Sequence, residues 1–278
     1  MAEPGDGLPA VAFIGAGSMG GAILQGLVAS GIAVDGGIRA VNRSEEKAAA
    51  LRAPGVRSLA YETQDDATER ALEGARLVVL GVKPAGIPEL LEEIRPMLAP
   101  DAVVVSIAAG VTTARMEALV PNVVVRTMPN TPSTVGRGVT GIAGGSRATA
   151  SAIALVSRLF ETVGRVLVVP ESQIDALSAI SGSGPAYVYL LIEQLAEAAR
   201  RLGFADADAR TLAEGTFVGA GALLEASGED PAELRRRVTS PKGTTERAIA
   251  VLSDADLAGL FERAAEAAIA RARELSAG

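Results

Sequence analysis

One short segment in the second half of the chain concentrates hydroxyl groups. Thr239, Ser240, Thr244 and Thr245 lie within residues 239–245, directly before an apolar pattern with helical spacing. Hydroxyls and backbone N–H groups that meet at the start of a helix suit a small carboxylate. A capped helix start is the simpler interpretation, but one hydroxyl is enough for a cap. The segment is therefore a candidate binding site for a small carboxylate.

A second group of residues has the spacing of a dinucleotide-binding turn. Apolar residues 11–14 run into Gly15, Gly17 and Gly20, and an apolar helical pattern follows. The first glycine lets the chain turn, the second lets a pyrophosphate approach the backbone, and the third lets helix and strand pack closely. A glycine-rich turn needs no ligand when it stands alone, but the strand before it and the helix after it favour a nucleotide.

The residues about twenty positions beyond that turn bear on the choice of cofactor. Proteins selective for NAD carry an acidic residue there, whereas this chain has Asn42, Arg43 and Ser44. Donors and a positive charge suit a 2′-phosphate, so we expect NADPH, with NADH as the alternative cofactor. Capping of the next helix is an alternative role for Ser44.

A single cation follows the apolar strand pattern of residues 76–82. Lys83 and Pro84 end this strand at the carboxyl edge of the sheet, where folds of this kind bind ligands. A solvated loop lysine is the alternative, but the position favours a contact with the cofactor.

Alternating strands and helices must position these groups. Strand patterns at 11–14, 38–41, 76–82, 102–107 and 122–127 alternate with helical ones, which predicts an α/β fold with a doubly wound, Rossmann-type parallel sheet. We assign this dinucleotide-binding domain to residues 1–170. Residues 56–74 are predicted as a weak strand and a surface helix, and the glycine-rich stretch 136–145 is assigned no element.

Strand patterns end at Pro170. Alanine- and leucine-rich helical patterns follow at 185–203, 206–227, 231–238, 245–252 and 254–275, so we predict an all-α domain over residues 171–278. These helices carry more apolar surface than a small domain can bury alone. We expect helices of two chains to pack together, with a self-contained bundle as the alternative.

Composition excludes several classes of function. The chain has 278 residues, no cysteine and no histidine, so the usual ligands of zinc, haem and iron–sulfur clusters are absent and no metal site is expected. Its formal net charge of -7 argues against nucleic acid and anionic membranes as partners. No apolar stretch approaches the ~20 residues of a membrane span, and we expect a cytoplasmic protein.

Together these motifs resemble the pyrroline-5-carboxylate reductase family over nearly the whole chain. The matching segments are GAGSMG (15–20), VKP (82–84), AAGV (108–111), MPNTP (128–132), SGSGPAY (181–187) and TSPKGTT (239–245), of which the last two are the most specific. The resemblance implies reduction of the ring imine of 1-pyrroline-5-carboxylate to L-proline with NADPH or NADH, in the last step of proline biosynthesis. It also implies dimers interlocked through the helical domain, often assembled into decamers.

The resemblance also implies site residues. The predicted cofactor-binding set is Gly15, Gly17, Ser18, Met19, Gly20, Asn42, Arg43, Ser44, Val82, Lys83, Pro84 and Ala109. Ser240, Gly243, Thr244 and Thr245 are implied to hold the substrate's carboxylate and ring, and we assign catalytic roles to Thr245 and Ser240. We place Thr245 near the ring nitrogen, and we expect the 239–245 segment of a partner subunit to meet the nicotinamide.

Two departures from the family pattern stand out. Lys242 occupies a position where glycine is commoner in the family. Residues 56–74 form a longer stretch than usual and lack the asparagine often found near the adenine ribose. Both concern details of binding and leave the reaction class unchanged.

Two other functions remain as alternatives. A β-hydroxyacid dehydrogenase-like enzyme would need a lysine on the first long helix of the second domain, but the lysines of this chain are Lys47, Lys83 and Lys242. A protonated imine carries its own proton, so its reduction needs orientation more than a strong acid. A non-catalytic NADP-binding sensor is the other alternative, but it would not need the hydroxyls of 239–245.

Overall fold

The structure is a computed structural model that describes residues 7–277, with side chains described for residues 7–274. Tertiary contacts divide it into two compact units. The first unit contains the residues up to Gly182 together with those from Ala268 onward, and the second is Ser183–Ala267. Our domain boundary after Pro170, which follows the end of the strand patterns, stays a prediction.

The first unit is built on one eight-stranded sheet with the order β3-β2-β1-β4-β5-β6-β7-β8. The strands are β1 (Leu8–Ile14), β2 (Val34–Asn42), β3 (Val56–Ala60), β4 (Leu77–Leu80), β5 (Val103–Ser106), β6 (Val123–Met128), β7 (Gly138–Gly144) and β8 (Gly164–Val168). Neighbouring strands are parallel except for β6 and β7. The predicted Rossmann-type doubly wound α/β architecture is confirmed.

Of the described helices, six connect these strands on both faces of the sheet, and a seventh follows β8. They are α1 (Ser18–Ser30), α2 (Glu45–Ala50), α3 (Ala67–Leu72), α4 (Ile87–Ile94), α5 (Thr113–Glu117), α6 (Ala150–Glu161) and α7 (Ile174–Leu177), and a single π-helical turn, Ser178–Gly182, follows α7. Gly31, in the left-handed conformation with φ 70°, ends α1 as a glycine C-cap.

The alternation of side chains along β1 shows how the two faces are buried. Val11 and Phe13 belong to an apolar core that includes residues of α1 and α6. Ala12 and Ile14 belong to a second core that includes residues of α3 and α4. Because successive residues of a strand point to opposite faces, one strand supplies both cores. The carboxyl edge of the sheet is therefore held by apolar packing from two sides.

Two local predictions in this unit were wrong. The sheet is not parallel throughout, because the glycine-rich stretch contains β7, which runs antiparallel to β6. Glycine is a poor strand former and hides the strand pattern, but a Cβ at Gly141 would lie only 2.5 Å from Leu177 Cδ1. In addition, α3 is not a surface helix, since four of its six residues are buried.

All the secondary-structure elements described in the second unit are helices, as predicted. It contains α8 (Gly184–Arg201), α9 (Asp206–Ser227), α10 (Pro231–Arg237), α11 (Thr244–Ser253) and the part of α12 (Leu257–Ala277) that precedes Ala268. Three starts differ from the prediction: α8 begins at Gly184, α11 begins at Thr244, and α12 begins at Leu257. The later start of α12 follows from Asp256, whose φ of 46° lies in the left-handed region and interrupts the helical backbone.

The second unit of one chain buries little apolar surface. Its buried apolar residues, among those that the structure describes, are all alanines: Ala196, Ala209, Ala213 and Ala265. Large apolar side chains are instead exposed, for example Val218 at 71% and Tyr189 at 59%. Such a surface marks a face that another protein chain covers. Among the described residues, no helix combines the length and the apolar character that crossing a membrane requires.

Candidate active site

The glycine turn follows β1 and contacts the carboxyl ends of β2 and β4. Gly15 has φ +81°, a conformation that side chains rarely adopt, and a Cβ there would lie 2.8 Å from Val82 Cγ1. The Gly15 N–H donates to the Val41 carbonyl over 2.9 Å. A Cβ at Gly81 would collide with the Gly15 carbonyl oxygen. Gly81, which the sequence analysis did not single out, is therefore as necessary for this turn as Gly15.

The second and third glycines of the motif, Gly17 and Gly20, differ in the space that surrounds them. Gly17 occupies the N-cap position of α1, and a Cβ there would meet no heavy atom of the described residues within 4 Å, apart from its chain neighbours. Ser18 and Met19 follow as the first residues of this 13-residue helix. A Cβ at Gly20 would meet the Gly15 carbonyl oxygen at 3.4 Å, which is ordinary contact. The open backbone at Gly17 and the start of α1 thus fit a pyrophosphate.

The residues predicted to bind the ribose end lie together after β2. Asn42 is 4% exposed, and its side-chain nitrogen has no hydrogen-bond partner among the described residues. A buried amide without a partner is costly, so this atom suits contact with a bound polar group. Arg43 is exposed beside it. Ser44 is the N-cap residue of α2, but its side chain makes no capping hydrogen bond within the described part of the chain.

A carboxylate that the sequence analysis missed lies against this loop. The Glu45 N–H donates to Glu62 Oε2 over 3.1 Å, and the Glu62 N–H donates to the Arg43 carbonyl over 3.2 Å. Glu62 therefore adds a negative charge next to Arg43. Its 17-residue separation from Glu45 gives no local pattern that would have predicted the contact.

The remaining predicted cofactor residues follow β4 and β5, which are neighbours in the sheet. Lys83 and Ala109 are exposed, while Val82 is half-buried. Pro84 begins a 3-10 turn with Lys83 at its N-cap position. Because β1, β4 and β5 are parallel and adjacent, these residues and Gly15 lie along one carboxyl edge.

The hydroxyl-rich segment lies in the second unit, at the start of α11. Gly243 is the N-cap residue, so no side chain occupies the capping position, and Thr244 and Thr245 are the first two residues of the helix. The Thr239 hydroxyl donates to the Arg235 carbonyl over 2.6 Å and is thus engaged within the unit. The other hydroxyls of the segment belong to Ser240, Thr244 and Thr245.

A tight turn precedes this helix start. The Gly243 N–H donates to the Ser240 carbonyl over 2.9 Å, and the Lys242 N–H donates to Glu246 Oε2 over 2.9 Å. Lys242 has φ 62°, which lies in the left-handed region. Glycine adopts this conformation without strain, which agrees with the glycine that the family resemblance implies here, and the hydrogen bond to Glu246 helps to hold a lysine there.

Family models match both parts of the chain. Residues 171–275 match a model described as pyrroline-5-carboxylate reductase dimerisation. Residues 10–110 match a model described as NADP oxidoreductase, coenzyme F420-dependent. The first match covers the helical region with its hydroxyl-rich segment, and the second covers the dinucleotide turn with its strands.

Relatives of known family match the chain over nearly its full length. Pyrroline-5-carboxylate reductase of Corynebacterium melassecola is 42% identical, over 95% of this chain and 98% of that protein. The enzyme of the same name from Pseudomonas aeruginosa is 38% identical, over 96% and 97% of the two chains.

Similar solved structures carry the same family name as these relatives. A pyrroline-5-carboxylate reductase structure from Coxiella burnetii has a TM-score of 0.87 and 39% identity, covering 95% of this chain and 97% of that one. A Plasmodium falciparum pyrroline carboxylate reductase with NADP bound has a TM-score of 0.77 and 25% identity, over 96% and 98% of the chains. This chain belongs to the pyrroline-5-carboxylate reductase family.

Proposed function

We propose that this chain reduces 1-pyrroline-5-carboxylate to L-proline with a nicotinamide cofactor. One observation carries the proposal: the chain joins an open dinucleotide turn at Gly17 to a hydroxyl-rich helix start at Thr244. Its curated relatives with both parts are named for this reaction. The family identity favours this function over β-hydroxyacid dehydrogenase activity and over a sensor without activity.

The cofactor supplies a hydride when it is bound. In this proposal, Gly17 and the first N–H groups of α1 bind the pyrophosphate, and Asn42 and Arg43 bind the ribose end. Lys83 and Ala109 contact the cofactor farther along the carboxyl edge. We propose NADPH as the preferred form, because an exposed arginine can pair with a 2′-phosphate. Glu62 limits that preference, because its carboxylate repels the same phosphate.

The substrate is a cyclic imine with one carboxylate. The Ser240 and Thr244 hydroxyls bind the carboxylate, with the positive end of α11 adding to the attraction. Gly243, whose N–H donates to the Ser240 carbonyl, keeps the capping position free of a side chain. Thr245 lies at the ring nitrogen, where its hydroxyl oxygen accepts a hydrogen bond from the N–H of the protonated imine. As the hydride adds, the hydroxyl can donate to the lone pair that forms on nitrogen. The imine carbon accepts the hydride, the π electron pair moves to nitrogen, and the nitrogen proton completes the secondary amine of proline. Orientation is the chief contribution of these residues, because the protonated imine already carries the proton.

The proposal extends to assembly. The uncovered apolar residues of the second unit and the dimerisation model that matches residues 171–275 support a homodimer. We propose that dimers are the basic unit and that larger assemblies, including decamers, are multiples of it.

An assay with purified protein tests the function. We expect oxidation of NADPH on addition of 1-pyrroline-5-carboxylate, with proline formed in equal amount. Incubation of NADP⁺ with a β-hydroxy acid tests the alternative enzyme and is expected to give no reduction. Binding of NADPH without turnover of the imine would contradict the proposal and favour a sensor.

A further inference from the structure

Two motifs have no role in the proposed reaction, and one buried charge lies on the strand that precedes the first of them. MPNTP (128–132) follows β6, and SGSGPAY (181–187) begins in the π-helical turn. Arg126, on β6, has a side chain that is only 4% exposed. A charged group is buried at a high cost unless it is paired and hydrogen-bonded, so its partners show what it holds in place.

Both partners of Arg126 lie on the segment that leads to the turn. Nη2 lies 2.8 Å from Asp175 Oδ1, and Nη1 lies 3.5 Å from Glu171 Oε1. Glu171 also accepts hydrogen bonds from the Thr113 N–H over 2.7 Å and the Thr113 hydroxyl over 2.5 Å. Arg126 thus connects the sheet, α5 and α7 through two carboxylates.

A second buried side chain holds the end of the same segment. Asn130 is buried, and its Nδ2 donates to the Ser181 carbonyl over 3.0 Å. Its Oδ1 accepts from the Val139 N–H over 2.8 Å, which ties the contact to β7. Residues 171–182 are therefore held at two points, near the start by Arg126 and at the π-helical turn by Asn130. Such π-helical turns occur often at functional sites.

The order of the strands places this turn relative to the proposed cofactor site. Along the carboxyl edge, the Asn42 loop follows β2, the glycine turn follows β1, and Val82 and Ala109 follow β4 and β5. Asn130 follows β6, the next strand in the same direction. A dinucleotide with its adenosine at β2 and its pyrophosphate at β1 has its nicotinamide toward β5 and β6. The turn therefore lies at the reacting end of the cofactor.

We propose that Arg126 is a positioning residue of the reductase site, which fixes the Ser178–Gly182 turn at the nicotinamide end of the sheet through Glu171 and Asp175. The Ser181 hydroxyl in this turn is buried and makes no hydrogen bond among the described residues, as suits a wall that faces a ligand. The proposal rests on the proposed function.

Asp175→Asn and Arg126→Lys test it, since both keep the side-chain size while they weaken the pair. We expect turnover with 1-pyrroline-5-carboxylate to fall about tenfold or more, because small displacements of reacting groups are costly. The dissociation constant for NADPH should change less than about threefold, because the phosphates bind at the other end of the edge. Hydrogen exchange at residues 178–182 should rise. Arg126→Lys should retain more turnover than Arg126→Met.

Arg147→Lys is the matched control, because Arg147 also binds carbonyls between elements of the first unit but does not contact residues 171–182. It should leave turnover and exchange at the turn as in the wild type. If the Asp175 and Arg126 variants melt at lower temperature but keep wild-type turnover and exchange, the pair is only structural and the inference is wrong. A wild-type protein without imine reduction contradicts the proposed function, whereas the exchange measurement still tests the positioning.

Discussion

At the scale of single residues, the hydroxyls at the start of α11 should divide into two roles. Thr245→Ala should lower turnover about 10- to 100-fold with NADPH affinity nearly unchanged, since one lost hydrogen bond costs about 1–3 kcal/mol. Ser240→Ala should mainly raise the Michaelis constant for the imine, because it weakens binding of the carboxylate. Steady-state kinetics, with the imine and NADPH varied in turn, separate the effect on turnover from the effect on the Michaelis constant.

Thr239→Val provides the control for this pair, because the Thr239 hydroxyl is already bonded to the Arg235 carbonyl. Its turnover should stay close to that of the wild type. Wild-type turnover in Thr245→Ala would instead show that Thr245 is structural and that orientation of the protonated imine is enough.

Arg43 should determine the choice of cofactor. Arg43→Ala should raise the Michaelis constant for NADPH about tenfold and that for NADH much less, because only NADPH loses a phosphate partner. Arg165→Ala, which removes another exposed charge from β8 at the other end of the sheet, should change neither constant. Equal effects of Arg43→Ala on both cofactors would remove the reason for assigning a 2′-phosphate contact.

Residue types in the sequence predicted the glycine turn and the hydroxyl segment, because both depend on neighbours a few positions apart. Glu62 and Gly81 were missed for the opposite reason. Glu62 meets Glu45 only because β2 and β3 pair, and Gly81 meets Gly15 only because β1 and β4 pair. Contacts of this kind depend on strand order and register, which composition and spacing do not specify.

At the scale of elements, Glu117 joins α5 to the loop after β7. Its carboxylate accepts hydrogen bonds from the Ser146 hydroxyl over 2.8 Å and the Arg147 N–H over 3.2 Å. Burial acts to raise the pKa of Glu117, but these hydrogen bonds and the Arg147 charge outweigh it and lower the pKa. A lowered pKa in the folded state means that the carboxylate stabilises the fold above its ordinary pKa and loses this effect as pH falls.

Glu117→Gln should therefore lower the melting temperature at neutral pH by ~2–8 °C. The difference from the wild type should shrink as pH falls below ~4, where the wild-type carboxyl becomes protonated. Melting curves across this range measure it. A difference that stays constant with pH would show that shape, and not charge, is what Glu117 contributes.

Elements with a strong apolar period were predicted well, and elements without one were not. The apolar strands β4, β5 and β6 lie within about two residues of their predicted positions, since buried parallel strands need unbroken apolar runs. The strand β7 was missed because its glycines carry no pattern, and α3 was misjudged because alanine and threonine fill three of its four buried positions. In both cases tertiary packing, not local preference, decides the structure.

At the scale of the whole molecule, the second unit should be stable only when chains associate. Val218→Asp on α9 should dissociate the dimer and abolish activity, because burying an unpaired charge at an interface is strongly unfavourable. Val135→Asp is the matched control, since Val135 in the first unit has the same exposure of 71% as Val218. It should keep the oligomer. Light scattering across a dilution series measures the mass, and a fully active monomer would contradict the prediction.

The need for association could be inferred from the sequence, because long helices rich in alanine and leucine exceed what one small domain buries. The faces that meet could not be inferred in the same way. In the described part of α8 and α9, exposed apolar residues occur on several sides, so helical spacing does not single out one stripe.

The central claim is that a hydride passes from the nicotinamide to the carbon of a ring imine. NADPH that carries deuterium at the transferring position of the nicotinamide tests it directly, by mass spectrometry of the product. The claim predicts proline with one deuterium, on the ring carbon next to nitrogen that was the imine carbon, and one NADP⁺ formed per proline. Consumption of the cofactor without labelled proline, or no consumption by folded, NADPH-bound protein, would contradict it.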